Sequence, residues 1–82
     1  MDRYRLRAAL LAAAVPPGAF RLAGVHEPTP LPVDFWFLRP GGGGWQIGPY
    51  ERGEYVVREV LATEGAACAR LYEILTGRPA PP

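Results

Sequence analysis

The sequence predicts an α+β domain: an antiparallel meander of three or four strands with two helices packed on one face, in the order αββββα. Three observations carry this. Apolar residues recur at helical spacing near both ends of the chain. Short aromatic and β-branched runs alternate between them. Gly- and Pro-rich punctuation separates those runs at hairpin lengths. At 82 residues there is room for one domain, expected over 1–77, with 78–82 as a frayed tail.

The first element is a helix over 3–15. Asp2 is placed to cap it, Leu6, Leu10, Ala13 and Ala14 form its apolar stripe, and Pro16-Pro17-Gly18 stops it. The basic start followed by Ala8–Val15 resembles a secretion leader, but the apolar run is short, so an amphipathic helix is the expectation. A strand follows over 19–25. His26-Glu27-Pro28-Thr29-Pro30-Leu31-Pro32 is then an extended loop, because alternating prolines exclude a helix or a central strand. Asp34–Arg39 and Trp45–Tyr50 form strands around the turn Pro40–Gly44. Glu51-Arg52-Gly53-Glu54 is a second tight turn, leading to a strand over 55–60. Thr63 caps a last helix over about 64–76, which Gly77 and Pro79 end.

Alternation groups Phe35 with Phe37, and Trp45 with Ile47, as one face toward the helices. Trp36, Leu38, Gln46 and Tyr50 then point the other way, with some of Tyr55, Val56 and Val57. That second face is aromatic rather than polar; such a patch marks an interaction site, unless the strand register is bulged or the proline loop folds over this face. In the last helix Ala67, Cys68, Leu71, Ile74 and Leu75 share a stripe, so Cys68 reads as a buried small hydrophobe.

Composition narrows function. There is no Lys, Ser or Asn, and all nine basic residues are Arg. A serine nucleophile, a Schiff-base lysine and a phosphate-loop lysine are therefore excluded. One His and one Cys cannot supply an ordinary zinc site or an internal disulfide. Gly41–Gly44 lacks the Lys-Ser/Thr pair of a phosphate loop and precedes a strand. The net charge of +1 argues against nucleic acid. No segment is long and apolar enough for a membrane. A cytoplasmic protein without cofactor or metal, and not an enzyme, is the expectation.

Six residues fall on adjacent strands and one turn and are of the types that protein interfaces enrich: Trp36, Arg39, Tyr50, Glu51, Arg52 and Tyr55. His26 and Glu27, at the entry to a proline-stiffened loop, complete the candidate partner-binding set. Residues 51–73 carry five acidic and three basic side chains, a local excess suited to steering a basic partner. Two other classes stay open. One is a homodimer or accessory subunit assembling through the sheet. The other is a small enzyme or ligand binder using His26 and Glu27 as an acid/base pair.

The aromatic strand Asp34–Arg39, Trp45-Gln46-Ile47-Gly48, the Tyr50-Glu51-Arg52-Gly53 turn and the helix start Thr63-Glu64-Gly65-Ala66-Ala67-Cys68 resemble small actinobacterial proteins found beside polymorphic toxin genes. The resemblance spans most of 20–75 and implies an immunity-type protein that neutralises a cognate toxin, such as an NAD-glycohydrolase-like one. It implies no catalytic residues. Gly65 departs from the better helix former expected in that first turn.

Overall fold

The computed structural model describes residues 1–81. It contains helix α1 (Arg3–Ala12), strand β1 (Phe20–Leu22), strands β2 (Phe35–Gly41), β3 (Gly44–Glu51), β4 (Glu54–Tyr55) and β5 (Glu59–Leu61), and helix α2 (Glu64–Thr76). A single 3₁₀ turn, Pro17–Ala19, leads into β1. The α+β class is as expected from the sequence, with a mixed five-stranded sheet that is largely antiparallel.

Local chemistry sets both helices. The Asp2 carboxylate accepts the Arg5 N–H at 2.8 Å and caps α1. The helix ends at Ala12, earlier than the predicted Val15. Ala14 turns left-handed at φ 63°, and the N–H groups of Ala14 and Val15 donate back to the Leu11 and Leu10 carbonyls, each at 3.0 Å. This is a Schellman ending with alanine where glycine is usual, and it closes the helix before Pro16. In α2, Thr63 Oγ1 accepts the Ala66 N–H at 3.1 Å, and Gly77, at φ 71°, donates to the Glu73 carbonyl. These ends agree with the sequence reading.

β1 is shorter than the 19–25 expected and runs parallel to β2, with Phe20 opposite Trp36 and Leu22 opposite Leu38. A parallel pair needs a crossover of about a dozen residues. The proline segment supplies it, from Ala23 to Asp34, and includes a cis Thr29–Pro30 bond. β2 and β3 are antiparallel around the two-residue turn Gly42–Gly43, with φ of 64° and 81°. Positive φ at both positions is the requirement of a type I′ hairpin, whose twist matches the strands.

The strand expected over 55–60 is broken. Tyr55 lies opposite Tyr50 and Glu59 opposite Ile47, so three residues, Val56–Arg58, face two on β3. The Val56 N–H donates to the Pro49 carbonyl and the Arg58 N–H to the Ile47 carbonyl, both at 2.9 Å. This is a β-bulge. It drives the Val56 carbonyl against Gly48, where no side chain fits.

The core occupies one sheet face. Leu6 and Leu10 of α1 and Ala67, Cys68, Leu71 and Tyr72 of α2 close over Phe20, Leu22, Leu38 and Ile47. The helix stripes differ at their ends from those read in the sequence: Ala13 and Ala14 lie beyond α1, and Ile74 and Leu75 are half-buried. The two faces also mix differently. Leu38 pairs with Ile47 and Phe37 with Gly48. Leu38 and Trp36 therefore join Ile47 and Trp45 toward the helices, while Phe35 and Phe37 turn to the outer face with Gln46 and Tyr50. Alternation alone defines two sets in each strand; the hairpin register decides which sets coincide.

Arg3 ties the helix layer to the sheet. Its backbone N–H and its Nε both donate to Glu64 Oε2, at 3.0 and 2.8 Å, and Nη1 donates to the Ala23 carbonyl. Its guanidinium lies 5.0 Å from the Trp45 ring centre. The side-chain and backbone hydrogen bonds from Arg3 hold the Glu64 carboxyl below its usual value of 4.5.

Two outcomes follow from this packing. Gly48→Ala forces a Cβ into the Val56 carbonyl and lowers stability by about 3 kcal/mol in urea unfolding, because the bulge must open. Arg3→Ala costs about 2 kcal/mol at pH 7. Glu64 titrates lower in the folded state, so its contribution is present above pH 4.5 and fades as pH falls through the folded value. Wild type therefore loses stability on acidification below that point more steeply than Arg3→Ala, as thermal unfolding against pH will read.

Candidate functional site

The outer sheet face carries four interlocked rings. Phe35 stacks on Tyr50 with centroids 4.5 Å apart and planes 11° off parallel. Tyr55 meets Phe37 edge-on at 5.1 Å and Tyr50 at 4.7 Å. These are favoured aromatic geometries, and they bury Phe35 and Phe37 although both helices pack on the other face. Arg39 roofs the cluster, with its guanidinium 4.8 Å from the centres of both Phe37 and Tyr55. Arg39 Nε donates to Gln46 Oε1 at 2.9 Å, which holds the guanidinium in place. Tyr50 and Tyr55 remain half-exposed.

The β3–β4 turn continues this edge. Glu51 and Glu54 are directly opposite each other, with Arg52 and Gly53 between them at φ 55° and 78°. Left-handed backbone costs a residue with a Cβ about 1 kcal/mol. Arg52 is exposed, and among the described residues neither it, Glu51 nor Glu54 is in an ion pair.

Around the sheet end, toward α2, lies an open cleft of about 420 Å³. Its apolar lining includes Phe35, Trp36, Pro49 and Leu75, Tyr50 borders it, and Asp34 and Glu51 are its acidic lining residues. Trp36 thus belongs to the helix side and the cleft rather than to the outer face. Trp36, Arg39, Tyr50, Glu51, Arg52 and Tyr55 therefore lie on β2, β3, β4 and the turn between β3 and β4, divided between the outer face, the turn and the cleft.

His26 and Glu27 lie elsewhere, on the β1 side of β2. The His26 ring stacks on Phe20 at 4.3 Å. Its Nδ1 accepts from Arg7 Nε at 3.2 Å, which leaves Nε2–H to donate to the Pro17 carbonyl at 2.7 Å. Glu27 Oε2 accepts the Gly24 N–H at 2.9 Å and is 3.6 Å from Arg21 Nη2. Glu27 closes the 24–27 turn while His26 ties that turn to Arg7, Pro17 and Phe20, and the two are not hydrogen-bonded to one another among the described residues.

Sequence reasoning did not single out Phe35 and Phe37 as the floor of the site, nor Pro49 and Leu75 as cleft walls. A hairpin register counted through the Gly42–Gly43 turn is the signal that finds the first pair. Leu75 needs the tertiary position of α2, which no local pattern carries. Burial pushes the Cys68 thiol up to about 11, so it stays protonated at neutral pH. Among the described residues no group of three or more His, Cys, Asp or Glu is placed to hold a metal, and no helix is long and apolar enough to cross a membrane. No protein-family model matches the chain, and comparison with curated proteins and with solved structures gives no match.

Proposed function

We propose that the chain is a non-catalytic protein-binding module of the immunity type, which engages a cognate toxin through the Tyr50–Tyr55 end of its sheet. The observation that carries this reading is Arg52. It is exposed, unpaired among the described residues, and held in a left-handed conformation that glycine would adopt without strain. Its backbone costs local stability, no ion pair among the described residues offsets that cost, and its exposed guanidinium is placed to meet a group outside the fold. Beside it, Tyr55 and Arg39 offer the side-chain types that anchor protein interfaces, already fixed by the aromatic cluster so that little is lost on ordering them.

The test is affinity capture from the native host, identification of the captured protein, and titration of the purified pair. Binding of nanomolar class and loss of the toxin's activity are expected. Arg52→Gly separates the two roles: it raises folding stability by about 1 kcal/mol and weakens binding about tenfold or more. A chain that captures nothing and leaves a neighbouring toxin active overturns the reading.

A second reading, self-association, is favoured by Val57 and Val60, exposed at 40% and 49% beside the bulged edge. Light scattering at high concentration gives twice the chain mass if this holds and a single chain mass if it does not.

A further inference from the structure

The cleft between the end of β2–β3 and α2 has walls and charges that select one kind of occupant. Its apolar lining includes the Trp36 indole, and Tyr50 stands at its border. Asp34 and Glu51 are both among the residues that line this opening, and among the described residues neither is in an ion pair. A third carboxylate, Glu54, lies directly across the strand pair from Glu51. Like charges placed opposite each other destabilise an antiparallel pair, and no ion pair within the described fold relieves this one. Arg78, just past α2, contributes a backbone hydrogen bond to Thr76 and no ion pair among the described residues. The residues lining the opening thus include two acidic side chains and aromatic rings but no cation, in a chain whose net charge is +1; the nearest cation in sequence, Arg52, follows Glu51 in the exposed turn and pairs with neither glutamate among the described residues.

A phosphate or a carboxylate is repelled here, and a cation is attracted. Between the two cationic side chains, the planar guanidinium suits the site better. It stacks on an aromatic face and takes carboxylates through a fork of N–H donors, whereas an ammonium is a compact, strongly hydrated charge. We propose that this cleft receives an arginine side chain presented by a basic segment of the protein partner. The proposal rests on the protein-binding reading and gives the cleft end of that contact a polarity: the partner segment that enters the cleft is basic. Screening by salt would then slow association more than it shortens the complex's lifetime.

The test reads the cleft with no partner present, in ¹H–¹⁵N spectra of the full chain titrated with the blocked peptide Ac-Gly-Arg-Gly-NH₂ at low salt. Saturable shifts of the Trp36 indole N–H and of the Tyr50 and Glu51 amides are expected, with the Trp45 indole unmoved. Ac-Gly-Glu-Gly-NH₂ shifts nothing. The Asp34→Asn/Glu51→Gln double variant keeps the wild-type spectrum and binds the arginine peptide about fivefold more weakly. No shift at Trp36, equal shifts with the glutamate or a lysine peptide, or full binding by the double variant each overturns the proposal. Displacement of the peptide by spermine at a lower concentration identifies a small cationic ligand and overturns it as well. A failed titration leaves the Arg52–Tyr55 interface standing, and a failed capture from the host leaves the cleft result standing.

Discussion

The guanidinium of Arg3 is the junction on which the architecture depends. The N-terminal ends of α1 and α2 converge there, with Gly65 beside the Met1 backbone. Two helix N-termini bring two partial positive charges together, and Arg3 adds a whole one. The Glu64 carboxylate offsets them by accepting from both the backbone and the side chain of Arg3. The same guanidinium reaches the Ala23 carbonyl and lies over Trp45, so it fastens α1, α2, the end of β1 and β3 together. In a chain this small the apolar core alone leaves little margin, and a partly buried charged junction of this kind directs which elements pack.

Gathering both helices on one face leaves the other face to fend for itself. It does so with rings rather than a second layer: Tyr50, Tyr55 and Arg39 shield Phe35 and Phe37. Tyr55 reaches that position because the bulge begins immediately after it, and the bulge is possible because position 48 has no side chain. Structure and the proposed binding surface therefore share one set of residues. The aromatic cluster that closes the sheet also presents its half-exposed rings and Arg39 to solvent.

Much of this was legible in the sequence. Asp2, Thr63 and Gly77 mark their helix ends by chemistry that acts within one turn, and Gly42–Gly43 and Gly53 mark the two hairpins by the sign of φ they permit. The parallel pairing of β1 was not legible, because a three-residue strand and a long proline segment leave the direction of return open. The bulge was hidden because Tyr55–Val60 reads as one unbroken β-rich run; its signature is Gly48 on the facing strand, seen only once the strands are paired. For the site, residue types were legible and grouping was only partly so. Trp36 is apolar enough for either face, and register assigns it to the helix side. His26 and Glu27 are neighbours in sequence, yet one turns to Arg7 and Pro17 and the other to Gly24 and Arg21.

The functional account places the contact surface at one end of the sheet, where an unrelieved Glu51–Glu54 pair, a strained Arg52 and half-exposed tyrosines adjoin an acidic, aromatic cleft. The most direct measurement is amide hydrogen exchange of the chain, free and bound to the protein it captures. The account predicts slowed exchange confined to residues 34–37 and 50–55, with α1 and the 20–27 segment unchanged. Protection centred on His26–Glu27 or on α1, with 50–55 unaffected, would contradict it.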